Sequence, residues 1–361
     1  MNPIPASADI IFDWTKMQFD ILRSVDELDQ ISGEWNELLS CCSASHVPFL
    51  RYEYLRTWWQ TLGGGEWQDG ELHVVTGRGE DGALLGVAPL FLTHNRSGER
   101  ALMLLGSIEI SDYLDLIIHC DNQAAFIDGL LDVLASDRLP GWQAIDFYNL
   151  PDYSPTLVLL EEAAQRRGWS YQQEQLQPCP YILLPGDWEV YLAGIDKKQR
   201  HEIRRKMRRA EESELGVRWY IVQDEDRLDA EVDAFMELMA QDPEKAGFLS
   251  QVMRSQMRTA VHMAFQHGWL QLAFLEVDGQ KAAGYLNFDF NDHIWVYNSG
   301  LSYSHRELSP GWVLLGYLLK WANENGRQEF DFLRGDEEYK YRFGAVNRFV
   351  VRAVMRRPEP G

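Results

Sequence analysis

The chain of 361 residues carries 55 acidic against 34 basic side chains, a formal net charge of −21. That balance excludes general adhesion to DNA or to an anionic membrane. With 45% hydrophobic residues and 13 Trp there is material for about two domain cores, while no apolar run reaches the roughly 18–20 residues that span a bilayer. The first residues lack a basic segment followed by an apolar one, so a cytoplasmic protein is expected. Cys41, Cys42, Cys120 and Cys179 show no metal or disulfide spacing and read as small buried thiols.

A short extended start, Phe19 to Leu22, precedes two helical patterns. One surrounds Trp35, Leu38 and Leu39. The other is PFLRYEYLRTWWQTL, where Leu55, Trp58, Trp59 and Leu62 recur at helical spacing before Gly63-Gly64-Gly65. Extended runs at Leu72 to Val75 and Leu84 to Phe91 flank Asp81-Gly82, a hairpin signal. Strands at Ala101 to Leu105 and Tyr113 to Ile118, a helix at Ala124 to Ala135 and a strand at Ala144 to Tyr148 follow. CPYILLPGDW reads as a strand and turn that ends the first unit, giving expected domains of 1–180 and 181–361.

The second half repeats this order. Leu270 to Val277 and Lys281 to Phe290 meet at Asp278-Gly279, then come a strand at Ile294 to Ser299, a helix from Gly311 and a strand at Glu329 to Leu333. AIDFYNLP against EFDFLRGD sets Asp146 opposite Asp331. The repeat predicts two copies of a mixed α/β domain. Between them, KKQRHEIRRKMRRAEE concentrates eight Lys/Arg against three Glu on a helix whose apolar stripe is Ile203, Met207 and Ala210. Leu228 to Met239 and Phe248 to His267 are amphipathic helices.

The chemistry is expected between Ile294 and Gly344. There a strand leads through a polar connection to a helix opening at Ser309, Pro310 and Gly311. Ser309 can cap, and Pro310 suits the first helical position because its missing N–H would be unpaired anyway. Free amides and the positive dipole end make such a helix start an anion site. After the helix and the next strand comes a dense charged cluster, Arg334 to Arg342.

The element order of the second half resembles the GNAT acyltransferase fold. The phrases KKQRHEIRRKMRR, FLEVDGQKAAGYLNF, YNSG, LSPG and FDFLRGDEEYKYRFGA resemble the CelD/BcsL-like acetyltransferase family, whose relatives include the FemAB peptidyltransferases with tandem GNAT-like domains. The resemblance is densest from about Trp188 to Val346. It implies an α+β fold of two tandem GNAT-like domains, each a mostly antiparallel twisted sheet flanked by helices.

The resemblance also implies residue roles. GNAT enzymes hold the acyl-CoA pyrophosphate in a Q/R-x-x-G-x-G/A loop. Arg306 to Gly311 keeps the Arg and the last Gly, while Ser309 replaces the first Gly and Pro310 removes one amide; Arg306, Ser309, Gly311 and Trp312 are the expected contacts. The hairpin strand ending near Asp289 and the following strand at Tyr297 to Gly300 are expected to splay and expose backbone to the pantetheine arm, with Tyr297 and Asn298 against it and Gly284 allowing close approach unless it marks a bulge. In FemAB-type relatives a Lys in a YKxxFG phrase stabilises the oxyanion. Tyr339 to Gly344 matches that phrase, which gives the role to Lys340 unless it is a surface lysine paired with Asp336 or Glu337.

Asp331, Asp336 and Glu337 are candidate carboxylates near the site, with Asp336 favoured as base. Tyr339 or Tyr341 would protonate a leaving thiolate unless packed as an aromatic. Arg200, Arg204 and Arg208 line one face of the basic helix and would meet phosphates unless that helix is merely solvated. Asp112, Tyr113 and Asp115 of SDYLD, with Arg334 and Glu337, are candidate acceptor contacts. No HExxH, GxSxG or Walker pattern occurs, so no metal is expected. The implied activity is N-acyl transfer from acetyl-CoA or another acyl-CoA to a small-molecule, glycan or peptidyl amine, with a link to polysaccharide or cell-envelope synthesis. A FemAB-like aminoacyl transferase using tRNA and a non-catalytic binding module are the alternatives.

Overall fold

The computed structural model describes residues 17–358; the reading of the N-terminus as no leader falls on residues outside that range. The first half comprises β1 (Gln18–Leu22), α1 (Val25–Gln30), α2 (Ser32–Ser40), α3 (Tyr52–Gly65), β2 (Glu71–Leu72), β3 (Val74–Arg78), β4 (Leu84–Ala88), β5 (Leu90–His94), β6 (Arg100–Leu104), β7 (Ile117–Ile118), α4 (Gln123–Ala135), β8 (Ala144–Pro151), α5 (Pro155–Arg166) and β9 (Ser170–Leu183). The second comprises α6 (Trp188–Gly194), α7 (Lys197–Glu211), β10 (Val217–Ile221), α8 (Glu225–Met239), α9 (Pro243–Phe248), α10 (Gln251–Gln266), β11 (Leu270–Val277), β12 (Gln280–Phe290), β13 (His293–Leu301), α11 (Pro310–Glu324), β14 (Glu329–Asp331), α12 (Glu338–Arg342) and β15 (Val346–Arg356).

Turn chemistry places the hairpins where the sequence does. Asp278 and Gly279 both take positive φ between β11 and β12, the backbone a two-residue hairpin favours. The first half departs from expectation at Pro89. Without an N–H to donate, Pro89 divides the run expected at Leu84 to Phe91. β4 joins β3 in a four-stranded sheet, and β5 joins β6 in the other. Of the strand expected at Tyr113 to Ile118, only Ile117 and Ile118 pair. Residues 105–116 form a loop instead.

The larger sheet has eleven strands in the order β10-β11-β12-β13-β14-β9-β15-β8-β6-β5-β2. Its centre is an exchange. β9, the last strand of the first half, pairs with β14 of the second, while β15 pairs with β8 of the first. β9 and β15 then pair with each other in a long antiparallel ladder, so the two repeats share one sheet and residue 180 lies inside β9. The repeat also sets Asp146 on β8 and Asp331 on β14 as buried carboxylates flanking that central pair.

The halves share a core as well. Phe49 and Tyr54 pack edge-on against Phe288 at 6.1 and 6.4 Å, and α3 lies on α10, where Thr61 donates to Gln256 Oε1 at 2.6 Å. A second core, on the other face of β11 to β13, holds Ile203, Met207 and Ala210 of α7 against Val313, Leu314 and Leu318 of α11. That is the apolar stripe read from the basic helix. Gly284 does not mark a bulge, since the register shifts fall at 275/276 and 286/287. A Cβ there would meet the Phe235 and Phe274 rings, so aromatic packing explains this glycine rather than ligand approach.

Gly300 has a tighter reason. A Cβ there would lie 2.6 Å from the Met239 backbone nitrogen, which a rotamer change cannot relieve. Gly300→Ala is expected to cost about 1–3 kcal/mol in urea unfolding by forcing β13 away from α8; unchanged stability would contradict that packing.

Candidate active site

β13 and β14 run parallel and pair at three positions only, His293↔Glu329, Ile294↔Phe330 and Trp295↔Asp331. Beyond them the strands part. β13 continues along β12 to Ala283↔Leu301, whereas the chain after β14 follows β9, with Phe332 N–H bonded to Pro180 O and Gly335 N–H to Pro178 O. The expected splay between β12 and β13 is therefore corrected. That pair is a continuous hairpin, and the opening lies between β13 and β14.

At the opening sits a cavity of about 370 Å³ lined by Tyr285, Ser299 and Leu301 of the sheet, Arg306, Ser309, Gly311 and Trp312 at the entrance of α11, and Tyr339 of α12. The Ser-Pro-Gly helix start and the charged tail thus reach one pocket. The cap expected of Ser309 is absent. Its side chain makes no capping bond, and its backbone is left-handed with φ 53°, the conformation glycine adopts most easily. Pro310 occupies the first turn as expected. The amides of Gly311 and Trp312 have no partner within the helix, since first-turn N–H groups cannot.

A bulge in β13 decides which side chains face the pocket. The register slips at Leu286/Asn287 so that Asn298 pairs with Leu286 and Val296 with Asn287, leaving Tyr297 as the extra residue. Ser299 and Leu301 then point at α11, while Tyr297 and Asn298 line a small cavity of about 50 Å³ on the opposite side, with Glu109, Asp112, Phe248 and Met257. Tyr297 and Asn298, expected against the donor, are so corrected. Tyr285 and Ser299, directly paired across the hairpin, were not anticipated as lining, because a one-residue bulge leaves no mark in composition.

The tail is more internally bonded than expected. Lys340 is 2% exposed; its Nζ donates to Phe332 O, Arg334 O and Gly335 O at 3.3, 3.2 and 3.0 Å and pairs with Glu337 at 2.8 Å. Its three ammonium protons face four acceptors within the protein. In this structure the lysine is buried rather than on the surface and ties down the loop from Phe332 to Glu337. Asp336 is exposed on that loop. Tyr339 and Tyr285 hydrogen-bond each other, and burial raises both phenols well above their usual range. Tyr341 bonds Asn347 instead.

Arg334 pairs with Asp112 and donates to Glu109 O at 2.6 Å, joining the tail to loop 105–116. These two expected acceptor contacts bind each other. Tyr113, 1% exposed, donates to Asp331 Oδ2 at 2.9 Å. Asp115 accepts from Ser154 and Thr156, both at 2.6 Å. Tyr113, Asp115 and Asp331 are all sealed inside the protein.

Arg204 pairs with Glu189, and Arg200 donates to Leu192 O and Ala193 O at the end of α6. Their face of α7 looks at α6 and a basic groove with His201, Arg205 and Arg208, so the expected contact of Arg204 with the donor is corrected by helical phase. Two residues on, Lys206 Nζ lies 4.1 Å over the ring of Trp312, which lines the pocket. A groove of about 740 Å³ runs along α4, and its Asp128 and Asp132 are engaged by Arg166 and Arg167. Among the described residues, His119, Cys120 and Asp121 form one metal-type cluster, confined to a single largely exposed turn.

Burial raises Asp331 to about 7, with Arg348 opposing the shift. The folded chain therefore keeps this proton up to about pH 7 and the unfolded chain only to about 3.9. Its stabilisation is full below pH about 4 and is lost as pH rises through 7. Asp331→Asn removes the titration. The unfolding free energy of the variant relative to wild type should rise by on the order of 2 kcal/mol or more between pH 4 and 8, and a pH-independent difference would contradict this environment.

An acetyltransferase (GNAT) domain family matches residues 197–341, the span from the basic helix to the tail. No curated protein matches the chain in sequence. Among solved structures, the crystal structure of FemX superposes with a TM-score of 0.61 at 12% identity, over 88% of this chain and 95% of that one. L-PGS from Bacillus licheniformis superposes at 0.54 and 14% identity, over 94% and 93%. A conserved protein of unknown function from Bacteroides thetaiotaomicron gives 0.55 and 12%, over 94% and 99%. Residues 197–341 thus match an acetyltransferase (GNAT) domain family, and the chain as a whole shares its α+β fold with FemX.

Proposed function

We infer that this chain is an N-acyltransferase that moves an acetyl or other acyl group from acyl-CoA to an amine. The observation carrying the inference is the parting of β13 from β14 beside the amino end of α11: a groove for an extended arm that ends at a helix start suited to a pyrophosphate. In this reading the amides of Gly311 and Trp312 receive the pyrophosphate, Arg306 and Lys206 add charge, and Ser309 holds the turn. Pro310 leaves one amide fewer than the GNAT loop pattern supplies.

The half 181–361 holds the donor, and the half 1–180 supplies the acceptor wall through loop 105–116. The amine approaches from the side of Asp112 and Asn298. Its nitrogen bonds to the acyl carbon, the C–S bond breaks, and the electron pair leaves on sulfur; the proton the nitrogen loses balances the one the thiol gains. Glu337, at the mouth beside Tyr339, accepts the nitrogen's proton, with Asp336 on the same exposed loop as the alternative base. Tyr339, held protonated by burial, faces the leaving sulfur. Lys340, Asp331 and Tyr113 are positioning residues. The CelD/BcsL-like phrases support an acceptor among glycan or peptidyl amines, with a link to polysaccharide or cell-envelope synthesis.

One observation favours a second donor. α7 presents Arg204, Arg205 and Arg208 along an open groove, which fits an aminoacyl-tRNA, a donor of the FemAB type. Phosphate contacts of that kind weaken steeply with salt.

Acetyl-CoA at about a hundredfold excess over its Kd should stabilise the protein by about 2.7 kcal/mol, raising Tm by several degrees. Arg306→Ala should weaken that binding about tenfold, or about 1.4 kcal/mol. No shift with acetyl-CoA, together with salt-sensitive tRNA binding, would overturn the reading in favour of the second donor.

A further inference from the structure

Lys245 lies on α9, just after the Asp242 cap of that helix. Its Nζ donates to Ser299 O at 2.6 Å and Asn298 Oδ1 at 3.0 Å, and reaches Ser299 Oγ only at 3.4 Å. Two ammonium protons are well placed, and the third is loosely held. Ser299 belongs to the wall of the donor cavity with Tyr285 and Tyr339, and Asn298 to the small cavity on the acceptor side. Lys245 therefore bonds a residue of each cavity from beside β13, and it is half-buried rather than sealed. Burial pulls its ammonium below the usual range, while Asp242 and Glu337 favour the charge. Lys340, by contrast, has four acceptors around it.

We propose that Lys245 is a catalytic residue of the acyl transfer, its loosely held N–H turning from Ser299 Oγ to the acyl carbonyl oxygen when the thioester binds and tightening there as the amine attacks. The proposal rests on the acyl-CoA reading above and adds to it the group that meets the developing charge. As nitrogen bonds to carbon, the carbonyl electron pair moves to oxygen beside the ammonium. As the C–S bond breaks the pair returns, and Lys245 keeps its proton throughout. A charged donor whose contact is weak in the bound thioester and strengthens as that oxygen gains charge lowers the barrier more than it tightens the ground state.

The test follows the thioester carbonyl itself, so it needs no known acceptor. Calorimetry measures acetyl-CoA binding to wild type, Lys245→Met, Lys245→Gln and Lys245→Arg, and isotope-edited infrared spectroscopy follows the 13C-labelled acetyl carbonyl in each complex. We expect affinities within about threefold of wild type. The carbonyl stretch should move to lower frequency in wild type, in part with Arg, and not with Met. Gln retains a donor for Ser299 O and serves if the Met variant fails to fold. An equal carbonyl shift in wild type and in the Met or Gln variant overturns the assignment of Lys245 alone. Failure of wild type to bind acetyl-CoA overturns the donor assignment and this proposal with it, so the two failures are told apart by the wild-type titration.

Discussion

Two parallel strands held together by three residue pairs set the rest of this molecule. β13 stays with β12 because an antiparallel hairpin fixes its register over its whole length. β14 is drawn the other way, because its outer neighbour is β9 from the first half rather than a strand of its own repeat. The wedge between them cannot close without breaking one of those ladders. Its exposed backbone and the amino end of α11 form a site no single element possesses.

The exchange of β9 and β15 explains why two copies of one element order act as one body. Each copy completes the other's sheet, and aromatic side chains from Phe49 and α3 fill the space behind β12 and β13. The copies are not equivalent. In the first half β6 and β8 also pair in parallel over a short stretch and then part. There the chain fills its own wedge: residues 105–116 turn inward and Leu114 N–H bonds Asn149 O. The same loop reaches across to Arg334 and Asp331 of the second half. One copy keeps an open groove, and the other lines the small cavity on the far side of β13 through Glu109 and Asp112.

Much of this was legible in the residues. Asp-Gly turns located both hairpins, the stripe Ile203, Met207, Ala210 fixed the buried side of the basic helix, and Ser-Pro-Gly marked the start of α11 and the pocket beside it. Other features left no local signal. β15 lies in a stretch of mixed charge and was not anticipated, although its Arg352 bonds Asp146 in the core at 2.7 and 2.8 Å. The exchange depends on pairing between residues far apart in the chain, Glu329↔Leu183 being the nearest in sequence, which periodicity cannot report. Lys340 was recognisable by its phrase, but its four acceptors are set by the loop that folds over it. Lys245 gave no signal, because its partners come from the bulged strand rather than from its own helix.

The account depends on an anion meeting the first turn of α11 at the strand opening. Backbone amide resonances of Gly311 and Trp312, followed by transverse-relaxation-optimised NMR during a CoA titration, test that contact directly. The account predicts that these two amides shift furthest, with Ser299 and Leu301 moving in step along β13. Saturable CoA binding whose largest shifts fall on the basic groove of Arg204 and Arg208, with Gly311 and Trp312 unmoved, would contradict it.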